Sequence, residues 1–379
     1  MTGRPTAGTA EGAVATAVAV KPLAVVGAGV VSAAGYGLAP LGELLRGGAV
    51  DAVAPEAGDY PPRAVRTVAD FRVADHLGKK GTRYLDRLTS FGLVACKQVL
   101  EETGAPQTDE ERARTGVVMA TNTGSVSSHS ALLHDTLAQE KPYQLNPAQF
   151  PNTVMNCAAG QVAIRNGLKG LNATVAGGQS AGLFAFRHAR IAMTLGRADR
   201  LLVGGVEELS GPAAWAWHRT GVLAERAALG EGCAVFVVEE PGERAPLALL
   251  LGCEVAYFGP SAEPSGRRHG LAGGLALVIE RALERSGVRP EEVDTVSLGA
   301  TQHIGLNRLE ERGVRSALGG LPAPVRVGEV LGETYSASGA LQLAALLALW
   351  AQEPAGPRTG LVTSIGHDGN VGALVVRRP

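Results

Sequence analysis

Two stretches of the chain repeat one device. Residues Thr174 to Gly196, TVAGGQSAGLFAFRHARIAMTLG, read as a strand, a glycine turn and a helix. Residues Val325 to Trp350, VRVGEVLGETYSASGALQLAALLALW, give a strand, a small-residue turn around Glu333 to Ser338 and a nearly all-apolar helix. A helix that is apolar all round must be covered all round. Two such helices, each behind a turn, therefore imply an internal duplication with both helices sandwiched between sheets. The first turn presents Gln179, which is a poor nucleophile and a poor base.

The rest of the chain fits that plan. Short Val, Leu and Ile runs alternate with longer Ala- and Leu-rich segments, and the strands are continuously apolar, as in sheets buried between helices. Leu23 to Gly35, LAVVGAGVVSAAG, is a strand entering a glycine turn; Ser32 stands where a dinucleotide fingerprint needs its third glycine, which argues against nucleotide binding. The run His76 to Gly104 reads as a helix rich in Leu and basic residues. Further helices are expected over Asn156 to Asn166 and Gln179 to Leu195, with strands over Ala173 to Ala176 and Arg200 to Gly205. From Gly230 the pattern begins again, with GCAVFVVEE and LALLLGCEVAYFG read as paired strands. The expected organisation is a loose tail over 1–21, one half over 22–229 and a second over 230–379. The linkers, at ERAALGEG and GPSAEPSGRRHG, are short, so one compact unit is expected.

Charge narrows the partners. Lys and Arg number 35 against 36 Asp and Glu, and no long run of one sign occurs, so neither nucleic acid nor an anionic membrane is favoured. The opening twenty residues have a thin charged start and an acid, Glu11, beside a short apolar run, which makes a poor signal peptide. No window approaches the roughly eighteen apolar residues of a membrane helix, so a soluble, cytoplasmic protein is expected. Cys96, Cys157, Cys233 and Cys253 lack the paired spacing of a zinc site and read as free buried thiols.

Several landmarks in order resemble the β-ketoacyl synthase family from about Pro22 onward. They are VVGAGVVSAAGYG, FPNTVMNCAAGQVAIRNGLKGLNATV, GRADRLLVGGVEELS and GEGCAVFVVEE. The resemblance implies the thiolase fold, five layers α-β-α-β-α from two duplicated halves, normally dimeric. It also implies a Cys at a helix N-terminus, where the dipole favours thiolate, and two His that bind the thioester carbonyl. This chain has Gln179 at the Cys position, Gly299 at the first His and Glu333 at the second. Gly328 stands near the supporting Lys, and His367 with Asp368 replace the Phe and Gly of the C-terminal glycine loop. Nucleophile, base and electrophilic donors are lost together.

A glutamine at that turn resembles the chain-length factor, the inactive partner of the active ketosynthase in bacterial type II polyketide synthases. The resemblance implies an active ketosynthase and an acyl carrier protein as partners, with substrates carried on phosphopantetheine and no cofactor or metal bound by this chain. It places the tunnel end on the helix after Gly124, with Val126, His129 and Leu133 on one face; the bland reading makes the first and last ordinary core and His129 a surface residue. The segment Ser210 to Gly230 is shorter than in typical members. Three rival readings remain: a Gln-type malonyl-thioester decarboxylase; a rewired site of His303, His367, Glu333 and Ser180; and an acyl-binding homodimer. Cys157, mid-helix, reads as a packed thiol. A metal held by His367, Asp368 and Glu333 has no supporting spacing.

Overall fold

The computed structural model describes residues 20–48, 59–259, 270–353 and 355–379. Most of the 1–21 tail and of the linker at 259–270 lies outside the described residues. The strands are β1 (Leu23–Ser32), β2 (Gly35–Tyr36), β3 (Val65–Arg66), β4 (Thr115–Ala120), β5 (Asn172–Val175), β6 (Arg200–Glu207), β7 (Leu229–Gly230), β8 (Gly232–Glu239), β9 (Ala248–Tyr257), β10 (Thr295–Ser297), β11 (Ala323–Val325), β12 (Thr359–Ile365) and β13 (Asn370–Arg377). The helices are α1 (Leu38–Leu45), α2 (Val73–Leu77), α3 (Arg87–Thr103), α4 (Asp109–Arg114), α5 (Val126–Ala138), α6 (Cys157–Asn166), α7 (Ala181–Thr194), α8 (Gly211–Thr220), α9 (Leu271–Ser286), α10 (Leu306–Leu318), α11 (Val327–Leu331) and α12 (Ser338–Gln352).

The duplication shows in the sheet. Its order is β11-β10-β12-β13-β9-β1-β8-β6-β4-β5. Within the set β1, β4, β5, β6, β8, and again within β9 to β13, the spatial order is third, second, fourth, fifth, first. The pairings match as well: parallel between third, second and fourth, antiparallel from fourth to fifth and from fifth to first. The sets meet at a short antiparallel seam, Leu23 to Val25 against Leu250 to Ala248. β1 therefore lies between β8 and β9, which do not pair with each other as the sequence suggested. The repeat turns over between Glu239 and Ala248, so β8, assigned to the second half from sequence, pairs within the first set.

Packing completes five layers. α3 and α6 cover one face of the first set with Phe91, Val94, Val99 and Val162, all buried. α9 and α10 cover the second with Leu275, Ile279 and Val314. α7 and α12 fill the space between, with Leu183, Phe186, Leu341 and Leu346 fully or almost fully buried. This is the thiolase arrangement. The two inner helices start side by side: a Cβ on Gly182 would sit 3.1 Å from the Ala340 nitrogen and 3.2 Å from the Gly339 Cα. Only hydrogen at Gly182 keeps that approach free of strain.

Two local expectations need correction. His76 to Gly104 is not one helix; the left-handed glycines Gly78 (φ 76°) and Gly81 (φ 75°) separate α2 from α3, which starts at Arg87 under an Asp86 cap. α7 begins at Ala181, because Gly178–Ser180 forms a tighter 3-10 turn ahead of it.

Candidate functional site

The site forms where loops gather at the carboxyl ends of the parallel strands, the usual crevice of such sheets. After β5 the chain turns through Gly178 in the left-handed region (φ 57°), where any Cβ would meet the Asp368 carboxylate at 2.3 Å. That turn holds Gln179 buried at the start of α7. The loop between β10 and α10 carries His303, fully buried; the turn before α12 carries Glu333; the β12–β13 loop carries exposed His367.

These four groups meet. His303 Nε2 lies 2.7 Å from Glu333 Oε2 and 2.5 Å from the Gln179 amide, and His303 Nδ1 lies 3.2 Å from His367 Nε2. A carboxylate only accepts, so His303 Nε2 carries the hydrogen and donates it to Glu333. Glu333 Oε1 accepts the Tyr335 backbone N–H at 2.7 Å. Burial pulls the His367 imidazole below its ordinary value, and neighbouring His303 pulls it further.

A second network ties the two turns together. Asn122 accepts the Gly178 N–H at 3.0 Å and donates to the Tyr335 hydroxyl at 2.8 Å. Burial, with Glu207 adding, pushes that hydroxyl up to about 12. Glu207 itself is pushed up to about 7 by burial, though Ser336, Asn122 and Thr121 all donate to it.

Gly299 is closed to chemistry. Its N–H donates to Glu310 at 2.9 Å, and a Cβ there would lie 2.9 Å from the Thr363 carbonyl and 3.0 Å from the Gln342 side chain. Glu310, fully buried, also accepts from Ala300 and Thr363 and is pushed up to about 7. At Gly328 a Cβ would meet the Thr301 hydroxyl at 2.9 Å, and that hydroxyl is buried without a hydrogen-bond partner among the described residues.

Of the rewired set, His303, His367 and Glu333 come together, whereas Ser180 turns away to Ser364 at 3.0 Å. Cys157 is buried at the start of α6, 3.8 Å from the Asn152 side-chain oxygen, and burial raises its thiol pKa. A cavity of about 400 Å³ opens beside Glu333, with Val126 on one wall and Trp217 and Tyr335 on another. His129 and Leu133 do not line it; both lie on the exposed face of α5, Leu133 61% exposed. A larger hollow, about 560 Å³, lies at the C-terminal end of α3 around Arg114 and Asp199 and includes none of these residues. Sequence reasoning missed Trp217, Tyr335 and Asn122, since an aromatic helix and a lone Asn carry no motif.

A duplicated sheet with two buried helices, and a turn at the head of each bearing the site, defines a condensing-enzyme scaffold of the thiolase fold. Residues 20–243 match the β-ketoacyl synthase N-terminal domain, and the chain belongs to that family. Within it the chain is chain-length-factor-like. It is 28% identical over 375 residues to the actinorhodin polyketide β-ketoacyl synthase 2 of Streptomyces coelicolor, covering 91% of this chain and 89% of that one. It is 33% identical to the ishigamide ketosynthase/chain length factor, with a TM-score of 0.81 over 94% of this chain and 99% of the other. At 19% identity and a TM-score of 0.78, over 95% of this chain and all of the other, it shares the fold of a type II acyl-carrier protein complex with its ketosynthase bound to a hexaketide.

Proposed function

We propose that this chain is a catalytically silent chain-length factor that pairs with an active ketosynthase and shapes the tunnel in which a carrier-bound acyl chain grows. The carrying observation is the fate of three positions. Gln179 offers no thiolate, Gly299 is packed shut, and Glu333 places an acceptor where a donor to the thioester carbonyl is required. Neither of the two imidazoles nearby lines the cavity: His303 bonds to Glu333, and His367 to His303.

The surface supports a partner. β5 is the outermost strand of the first set. On α5 and the segment packed against it, Leu133, Leu137, Tyr143 and Phe150 are 60% exposed or more. Apolar residues gathered on one face mark an interface, and an open strand edge invites pairing. On this reading the partner subunit supplies Cys and both His, an acyl carrier protein delivers the chain on phosphopantetheine, and no cofactor is resident. The protein works in the cytoplasm, as one compact unit of two halves. Val126, with His129 and Leu133 covered in the pair, then forms the tunnel end, and the small Val126 admits a longer or straighter chain.

The test is reconstitution with and without a partner ketosynthase that has its Cys and both His, using malonyl-loaded carrier protein. Condensation is expected from the pair alone. Carbon–carbon bond formation by this chain by itself overturns the reading, and carbon dioxide release by it alone points to the decarboxylase. Val126→Trp is expected to shorten the product of the pair.

A further inference from the structure

The shortened segment after β6 folds as α8, which puts a tryptophan between the cavity and buried His303. The Trp217 ring stands edge-on to Tyr335, with centroids 5.0 Å apart and planes at 82°, and edge-on to His303 at 5.8 Å and 75°. Such T-shaped packing is favourable beyond the area buried, and it fixes ring orientation. Trp217 also lines the cavity, as does Val126. Behind it lies fully buried His303, and of the His303, Gln179 and Glu333 cluster only Glu333 reaches the cavity.

Tyr335 cannot yield the space. Its φ is 49°, its N–H is bonded to Glu333, and its hydroxyl accepts from Asn122. The rest of the lining is mostly apolar, with Leu209, Pro212, Ala213 and Ala216, and it adds the threonines Thr123, Thr220 and Thr334. The carboxylates at the rim are already engaged: Glu208 accepts from Ser125, Ser127 and Leu88, and Glu207 from Thr121, Asn122 and Ser336. The cavity therefore suits a hydrocarbon-like acyl tail more than one dense in carbonyl groups.

Building on the tunnel reading above, we propose that Trp217 is a specificity-determining residue, the plate that stops an apolar acyl chain from running on toward buried His303. Its removal opens the cavity toward that imidazole. Product length should rise while the chemistry, which belongs to the partner, is unchanged.

The experiment compares products of the reconstituted pair carrying W217A, W217F or V126W, alongside the thermal midpoint of each complex. W217A is expected to lengthen the main product by at least one two-carbon unit, W217F to shift it less, and V126W to shorten it. A merely structural tryptophan would lower yield and midpoint without moving length. Unchanged length in W217A with a shortened V126W product overturns the role of Trp217 and leaves the tunnel intact. No change in any variant overturns the tunnel reading and this proposal with it. Should W217A fail to pair, W217F decides: a product distribution identical to wild type refutes the proposal.

Discussion

After β5 the chain reaches α7 through Gly178, at φ 57°; before α12 it passes through Tyr335, at φ 49°. Each entry includes a short 3-10 turn, Gly178–Ser180 in one and Tyr335–Ala337 in the other. The occupants differ. The first turn holds a neutral amide, whereas the second holds a carboxylate bound to a buried imidazole. Glycine takes a left-handed φ without strain, and tyrosine does so at about 1 kcal/mol, here offset by its bonds to Glu333 and Asn122. The difference teaches that packing of the two inner helices preserves the backbone device, while the side chain it presents is free to vary.

Breaking the shared backbone should have the largest effect. Gly182→Leu drives a side chain into the Gly339–Ala340 backbone and should cost more than about 3 kcal/mol, read from the denaturant midpoint of the purified chain. Wild-type stability in that variant would show that the inner helices are not held together at this crossing.

The two occupants should respond unequally. Glu333→Ala leaves His303 buried without its acceptor and should cost about 3 kcal/mol, whereas Gln179→Ala should cost about 1 kcal/mol. Adding His303→Ala to Glu333→Ala should recover part of the loss, as coupled partners do. Equal costs in the two turns would dissolve the contrast drawn here.

The smallest effect concerns pH. Glu310 behind Gly299 and Glu207 beside Asn122 are both raised from 4.5 to about 7 by burial. A raised carboxylate binds its proton more tightly in the folded chain, so its stabilising contribution is complete below about pH 4.5. It is lost as pH climbs to about 7. Stability of wild type relative to Glu310→Gln should therefore fall over that window by at most about 1.4 kcal/mol per pH unit. A flat difference between the two proteins would mean that Glu310 titrates like an exposed carboxylate.

Much of this was legible beforehand because it rests on local pattern. The all-apolar character of α12 demands cover on every side, and the strand-turn-helix repeat announces duplication. The turns that carry Gln179 and Glu333 were marked by the motifs around them, and both side chains reach His303. β8 and β9 were misread because consecutive apolar strands give no sign that a third, β1, will lie between them. Leu133 was legible as part of a helix face but not as exposed, since an apolar residue looks the same whether it faces core or partner.

By itself the sequence determined the layered duplication and the residue types at the two turns, an amide at Gln179 and a carboxylate at Glu333, since periodicity and residue type are properties of short stretches of chain. Only the tertiary structure decided that His303, separated from Gln179 by more than a hundred residues, bonds to it, that Gly299 has no room for a side chain, and that Trp217 walls the cavity. Those are facts of distance between segments remote in sequence, and they exist only once the strands have chosen their neighbours.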